Sequence, residues 1–163
     1  MSLAFNDKNE QAFQLILAKF PPDRKKAALL PTLHLAQRQF GWLSDEVQMY
    51  IAERLELAAS EVMNTVTFYT MFNKKPVGKY HVQVCTNLSC YLRGADQLMS
   101  LCERELGIKC GETSEDGRFT LSHVECLASC GTAPMMQVND DYHENLTPVT
   151  ASALLDGWKG EEA

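Results

Sequence analysis

Four of the six cysteines in this 163-residue chain occur as two closely spaced pairs, Cys85-x4-Cys90 and Cys126-x3-Cys130. Thiolates grouped in this way suit a metal ion or an iron–sulfur cluster. A dithiol that exchanges disulfides needs the C-x-x-C spacing, which occurs nowhere in the chain. Four thiolates complete the ligand set of a [2Fe–2S] cluster, and they equally close a tetrahedral zinc site. The spacing therefore predicts a four-cysteine metal site and leaves iron and zinc both open.

Composition and charge restrict the class of protein and the kinds of partner. Hydrophobic residues make up 45% of the chain and charged residues 22%, which is ordinary for a soluble globular protein. A formal net charge of −6 argues against nucleic acid or an anionic membrane surface as partner. No window approaches 18 consecutive apolar residues, and the first residues lack the basic and apolar regions of an export signal. We therefore expect a cytoplasmic protein whose cysteines bind metal rather than form disulfides.

Apolar residues recur at helical spacing through the first half of the chain, which is predicted to be all helical. Pro21 ends the first helix. A second helix is predicted over residues 23–40, with a kink at Pro31 because proline removes a backbone donor and clashes with the preceding turn. Gly41 is a natural stop for that helix.

Two serines are predicted to begin the next two helices. Ser44 precedes Asp45 and Glu46, and both a capping hydroxyl and carboxylates in the first turn favour a helix start. Ser60 is the predicted cap of a fourth helix that continues through Val62. We interpret the four segments as a helical bundle around a hydrophobic core.

The second half of the chain begins after residues 74–78, a polar stretch that contains both proline and glycine. A strand over residues 80–84 leads to Cys85, and a helix is predicted over residues 91–106. Strands at residues 118–121 and 135–138 follow, and Thr147-Pro148 opens a last helix. The order β-α-β-β-(β)-α indicates a small domain in which a sheet and helices pack as layers, and a thioredoxin-like arrangement fits it.

The predicted fold is therefore α+β, with a helical bundle domain over residues 1–76 and a thioredoxin-like α/β domain over residues 77–163. Each cysteine pair lies where a strand gives way to a loop, so that side chains can converge while the scaffold stays still. Cys90 is predicted at a helix start, where the positive end of the dipole favours a thiolate. Arg93 is the nearby cation, and a solvated helix face accounts for it equally well.

The remaining candidate ligands are weaker. Cys102 lies on the apolar face of its helix and is expected to pack as a small hydrophobic residue. Cys110 lies in a loop as a free thiol that could compete as a ligand. His123 stands three residues before Cys126, which suits a Cys/His zinc site, although a surface histidine at a strand end is the better interpretation. None of the histidines has the close Cys-x-His pairing of a Rieske centre; they are His34, His81, His123 and His143.

Several stretches together are similar to one family. They are ETSEDGRFTL at residues 112–121, VECLASCGTAP at 124–134, VNDDY at 138–142, LTP at 146–148 and CYLRGA at 90–95, with HLAQ at 34–37, GWL at 41–43 and TFYTMF at 67–72. With the separation of the cysteine pairs, they resemble the thioredoxin-like [2Fe–2S] subunit of NADH:quinone oxidoreductase (complex I), the E subunit of the bacterial NADH dehydrogenase module. The likeness covers about residues 20–150. Two departures are Ser44, where many relatives have proline, and Ala128-Ser129, where they often have Gly-Ala.

The resemblance implies that Cys85, Cys90, Cys126 and Cys130 hold one [2Fe–2S] cluster. It further implies a subunit that docks onto a flavoprotein carrying FMN and NADH, accepts one electron from the flavin side and works beside further iron–sulfur subunits. The chain has no G-x-G-x-x-G or phosphate-binding loop motif, so we expect no NADH oxidation from it alone. A peripheral place on the cytoplasmic side of a membrane complex, without membrane insertion, follows from the same resemblance.

Three alternatives stay open at this point. Homologous diaphorase subunits occur in NAD-reducing hydrogenases and NAD-dependent formate dehydrogenases, so the host complex is not decided by the resemblance. A zinc-stabilised thioredoxin-like binding module is compatible with the four cysteines. A thiol enzyme acting through Cys110 or through a single member of one of the cysteine pairs is disfavoured because the chain has no C-x-x-C.

Overall fold

The structure is a computed structural model that describes residues 3–161 of the chain. It divides into two compact units, with the division between Pro76 and Val77. The outermost residues of the two predicted domains, 1–2 and 162–163, lie outside the described residues. Each unit is described by itself below.

The first unit is helical, as predicted. Its elements are α1 (Asp7–Leu17), a 3₁₀ helix (Pro22–Ala28), α2 (Leu29–Phe40), α3 (Asp45–Leu55) and α4 (Ala59–Phe68). One apolar side of each α-helix is turned inward, and the resulting core is closed to solvent. Its largest fully buried side chains are Phe13, Leu33, Leu43, Ile51, Leu55, Val62 and Val66.

The predicted single helix over residues 23–40 is wrong in one respect. The backbone breaks from helical geometry at Arg24 (φ −121°, ψ 33°), and the regular helix α2 begins only at Leu29. Pro31 is then the third residue of α2 and not an interior residue. Because the N–H groups of the first helical turn have no partner within the helix, proline is tolerated there and the expected kink is absent from α2.

Two of the predicted helix ends are confirmed and one is wrong. The Ser44 hydroxyl accepts a hydrogen bond from the Val47 N–H at 3.2 Å, and Gly41 ends α2 with a φ of 81°. Ser60 does not cap α4, whose N-cap is Ala58. There the Glu61 carboxylate accepts a hydrogen bond from the Ala58 N–H at 3.1 Å, so a side chain inside the helix performs the capping.

The second unit contains a four-stranded sheet with helices. Its elements are β1 (Tyr80–Cys85), α5 (Leu88–Leu92), α6 (Ala95–Leu106), β2 (Phe119–Val124), a 3₁₀ turn (Cys130–Thr132), β3 (Met136–Val138), β4 (Asp141–His143) and α7 (Pro148–Gly160). The strand order is β2-β1-β3-β4. The pair β1/β2 is parallel, with Cys85 opposite Val124, and the pairs β1/β3 and β3/β4 are antiparallel. The sheet and its helices form the predicted layered α/β arrangement.

The predicted helix over residues 91–106 is in fact two helices. Gly94, with a φ of 98°, lies between α5 and α6, and a glycine adopts this left-handed conformation without steric cost. The Asn87 side chain caps the first of the two by accepting a hydrogen bond from the Leu88 N–H at 2.8 Å. Cys90 consequently lies inside the short helix α5 and not just before a longer one.

The core of this unit lies between one face of the sheet and the helices α6 and α7. Val82, Val84 and Leu121 are fully buried there against residues such as Cys102 and Leu155. The predicted packing of Cys102 as a small hydrophobic residue is therefore correct. Thr147 caps α7 as predicted, since its hydroxyl accepts a hydrogen bond from the Thr150 N–H at 3.2 Å. Among residues 3–161, no helix is both long and apolar enough to cross a bilayer.

Candidate metal centre

Cys85 occupies the last position of the central strand β1. Hydrogen bonds to β2 on one side and β3 on the other hold this strand, and the Cys85 N–H donates to the Met135 carbonyl at 3.3 Å. Only 3% of the residue is exposed. The thiol at this position is therefore fixed by the sheet and largely closed to solvent.

Cys90, 2% exposed, faces the same small apolar cluster as Cys85, together with Ala95, Ala133 and Met135. Burial, followed by a hydrogen bond with the Cys85 thiol, raises the pKa of Cys90 to about 11, although a backbone hydrogen bond from Met135 acts in the opposite direction. A buried thiol pair of this kind becomes a thiolate pair when a metal cation replaces the protons.

The second pair lies in an exposed loop. Both Cys126 and Cys130 are exposed, and Cys130 begins the 3₁₀ turn. Between them, Ala128 takes the left-handed conformation with a φ of 58°, and its N–H donates to the Cys126 sulfur at 3.3 Å. Cys130 is close enough to Cys90 to raise the pKa of that thiol electrostatically. The loop therefore brings its second cysteine to the buried pair.

Three side chains tie the exposed loop to the β4–α7 connection. Ser129 and Thr132 donate hydroxyl hydrogen bonds to the Glu144 carboxylate, the latter at 2.5 Å, and the two hydroxyl oxygens are 2.6 Å apart. These hydrogen bonds lower the pKa of Glu144, and the bond from Ser129 contributes more than the bond from Thr132. Tyr142 adds a further tie, since its hydroxyl donates to the Leu127 carbonyl at 3.1 Å. The loop that carries Cys126 and Cys130 is consequently held at several points.

Arg93 also reaches this loop. Its Nε donates to the Ala133 carbonyl at 3.2 Å, which joins the α5–α6 junction to the segment that follows Cys130. The side chain is thus engaged with the backbone beside the cysteine site and is not simply part of a solvated helix face.

The donor set fits a two-iron cluster. The site offers free thiols in two pairs, and each iron of a [2Fe–2S] cluster takes two protein ligands. Cys85 and Cys130 both raise the pKa of Cys90, and Cys126 lies in the same loop as Cys130. Within residues 3–161, no three His, Cys, Asp or Glu side chains converge closely enough to hold a single metal ion. The assignment of all four cysteines as ligands stays a prediction.

The other candidates lie elsewhere. Cys102 is fully buried in the main core, where desolvation raises its pKa to about 12. Cys110 contacts His123, with 3.4 Å between the sulfur and Nδ1. His81 lies on β1, with its Nε2 2.8 Å from the Ser122 hydroxyl.

Glu144 and Tyr142 were not among the residues predicted from the sequence. Glu144 lies 14 residues after Cys130, and only the pairing of β3 with β4 returns the chain to the cysteine loop. Tyr142 ends the VNDDY stretch at residues 138–142, but nothing in that stretch or around Glu144 indicates a contact with the cysteine loop.

Comparisons with known proteins agree on the family. The model of the family described as "Thioredoxin-like [2Fe-2S] ferredoxin" matches residues 13–159. The E subunit of NADH-quinone oxidoreductase from Rickettsia prowazekii is 46% identical over 161 residues, which cover 98% of this chain and 91% of that protein. The corresponding protein of Rickettsia felis is 47% identical over 161 residues, covering 98% and 96% of the two chains. The mitochondrial NADH dehydrogenase [ubiquinone] flavoprotein 2 of Dictyostelium discoideum is 42% identical over 159 residues, 97% of this chain and 64% of that protein.

A solved structure shares the fold. The air-oxidized NAD+-reducing [NiFe]-hydrogenase matches with a TM-score of 0.71 over 80% of this chain and 22% of that chain. At 21% sequence identity, this likeness shows the fold alone.

Proposed function

Because this chain belongs to the thioredoxin-like [2Fe–2S] ferredoxin family, we propose that it is an electron-transfer subunit of an NADH:quinone oxidoreductase. The observation that carries the proposal is the 46% identity to the E subunit of a Rickettsia NADH-quinone oxidoreductase along nearly the whole of both chains. The four-thiol site supports it, since cysteine thiolates are the usual ligands of such clusters.

Cys85, Cys90, Cys126 and Cys130 would hold the [2Fe–2S] cluster. When bound, such a cluster takes up and releases one electron at a time. The buried pair anchors one side of the site in the apolar cluster around Met135 and excludes water from it. The exposed pair forms the accessible side, where a partner can approach closely enough for electron transfer.

Two backbone groups form hydrogen bonds with sulfurs of the proposed ligands. The Ala128 N–H already donates to the Cys126 sulfur at 3.3 Å, and Met135 provides a backbone hydrogen bond to Cys90. Hydrogen bonds to ligand sulfurs raise the reduction potential of an anionic cluster by stabilising added negative charge. We infer that these two donors contribute to the potential of this subunit.

The proposed partner is the NADH-oxidising flavoprotein subunit, which would hold the FMN that supplies the hydride chemistry, and this chain would receive one electron from the flavin side. Further iron–sulfur subunits complete the electron path. We place the subunit on the cytoplasmic side of the membrane complex, as a peripheral component that does not enter the bilayer. NADH and FMN bind to the partner, so this chain by itself has no NADH dehydrogenase activity.

Metal analysis with electron paramagnetic resonance tests the proposal. The chain is purified without oxygen, its iron, sulfide and zinc are measured, and the dithionite-reduced sample is examined. We expect two irons and two sulfides per chain with a spin-half signal on reduction, and no reduction by NADH until the flavoprotein partner is added. One zinc per chain, with failed iron reconstitution, would instead establish a structural zinc module.

A further inference from the structure

A second thiol site lies away from the four-cysteine loop and consists of Cys110 and His123. The Cys110 sulfur is 3.4 Å from Nδ1 of His123. Cys110 is half-buried and His123 is exposed, so a small molecule can reach the sulfur from solvent. We propose that Cys110 is a nucleophilic thiol, with His123 as its proton acceptor, that forms a reversible mixed disulfide with small disulfide compounds.

The backbone holds the two side chains together. The segment that follows Cys110 runs along the outer edge of β2, where the Gly111 N–H donates to the Leu121 carbonyl at 2.7 Å and the Leu121 N–H donates to the Glu112 carbonyl at 3.0 Å. These bonds hold the turn after Cys110 against Leu121, which lies on β2 two residues before His123. The backbone therefore places Cys110 and His123 within reach of each other, as a nucleophile and its base require.

The charged groups around the pair are already engaged. Glu103 accepts hydrogen bonds from the Cys110 N–H at 3.1 Å and from Nζ of Lys109 at 3.0 Å. Glu112 accepts one from the Lys109 N–H at 2.7 Å. On the adjoining strand, His81 is hydrogen-bonded to Ser122. The imidazole of His123 is thus the basic group in contact with the Cys110 sulfur.

The chemistry is a thiol–disulfide exchange that balances without a metal or an external reductant. Sγ of Cys110 attacks one sulfur of a compound R–S–S–R while its proton passes to Nδ1 of His123. The R–S–S–R bond breaks, a Cys110–S–S–R bond forms, and the leaving thiolate takes up a proton to become R–SH. Cys110 is oxidised and half of the small disulfide is reduced. Attack by a second small thiol reverses the modification.

Cys102 provides an internal reference for this reaction. It is fully buried in the core, and burial raises its pKa to about 12. It has the same side chain in the same folded unit but neither access nor a basic partner at hydrogen-bond distance among the contacts described. A reagent that distinguishes Cys110 from Cys102 therefore reports on the local arrangement and not on cysteine content.

The test exposes the full chain, as purified, to oxidised glutathione at about pH 7 and about pH 10. Peptide mass spectrometry then follows the mixed disulfide at Cys110 and at Cys102 in wild type, His123→Asn and His123→Gln. In wild type at pH 7 we expect rapid labelling of Cys110 and none of Cys102. In both His123 variants we expect labelling of Cys110 to be about tenfold slower at pH 7. At pH 10 the three proteins should react alike, because thiols ionise there without a base.

Two results would overturn the proposal. Equal rates at pH 7 in wild type and both variants would show that His123 takes no proton. Rates that are lowered equally at both pH values would show that the histidine only shapes the loop. Circular dichroism of each variant confirms that the fold is retained, which the exposed position of His123 leads us to expect.

Discussion

The backbone N–H of Ala128 donates to the Cys126 sulfur at 3.3 Å, and a φ of 58° at Ala128 places it there. This left-handed conformation is unfavourable by about 1–2 kcal/mol for residues with a side chain. The chain thus keeps a strained residue at the position that directs a donor to a proposed ligand. Glycine would relieve the strain, while a β-branched residue would increase it.

We therefore predict different outcomes for two substitutions at this position. Ala128→Gly should change the free energy of unfolding by less than about 1 kcal/mol, because the relief of strain is offset by the greater freedom of glycine in the unfolded chain. Ala128→Val should lower it by about 1–2 kcal/mol. Urea denaturation measures both. Gly131→Ala is the matched control in the same loop, since nothing lies within 4 Å of the added Cβ. A valine tolerated as well as the glycine would contradict the strain argument.

Single replacements of the cysteines by serine separate the proposed ligands from the other thiols. A [2Fe–2S] cluster needs all four protein ligands, so replacing any one of them should abolish or grossly destabilise it. The proposed ligands are Cys85, Cys90, Cys126 and Cys130. Cys102→Ser and Cys110→Ser should retain it. For each variant, the iron content and the electron paramagnetic resonance signal of the dithionite-reduced protein are measured. Cluster loss in Cys110→Ser, with retention in a variant of one of the four, would refute the ligand assignment.

The hydrogen bonds between Glu144 and the cysteine loop predict that replacing Glu144 weakens the retention of the cluster. Glu144→Ala removes the acceptor shared by Ser129 and Thr132, and residues that orient ligands typically change metal affinity by about tenfold or more. We expect the variant to lose iron to a chelator about tenfold faster than wild type. Glu115→Ala, which removes a carboxylate elsewhere in the same unit, serves as the control. Equal rates in all three proteins would mean that the tie is dispensable.

The burial of His81 predicts an acid-sensitive contribution to stability. Burial lowers the pKa of His81, so the unfolded chain takes up its proton at a higher pH than the folded chain does. The contribution of His81 to the free energy of unfolding is fully present above the ordinary imidazole pKa of about 6.5. It is lost progressively as the pH falls below that value. Denaturation of wild type and His81→Gln between about pH 5 and 8 should show a shallower pH dependence in the variant.

Ser122→Ala is the informative comparison for that experiment. It removes the hydroxyl 2.8 Å from Nε2 of His81 but leaves the histidine in its place in the sheet. Because burial and not the hydrogen bond lowers the pKa, Ser122→Ala should retain the pH dependence of wild type. Loss of the dependence in Ser122→Ala would assign the effect to the hydrogen bond.

Features of the fold that depend on neighbouring residues were predictable from the sequence. Ser44, Gly41 and Thr147 mark helix ends through bonds to residues only a few positions away, so the local sequence is sufficient to recognise them. Pro31 and Ser60 misled the prediction because both residues are compatible with more than one position within the first helical turn. The break at Gly94 was missed because the apolar pattern continues on both sides of it.

The sequence by itself determined the four paired cysteines, the order of helices and strands, and the resemblance to one family. Only the tertiary structure decided that Cys85 and Cys90 are buried while Cys126 and Cys130 are exposed, and that Glu144 holds the exposed loop. It alone brought Cys110 to His123. The physical reason is that burial and contact across a sheet depend on which strands pair, and strand pairing joins residues far apart in the chain.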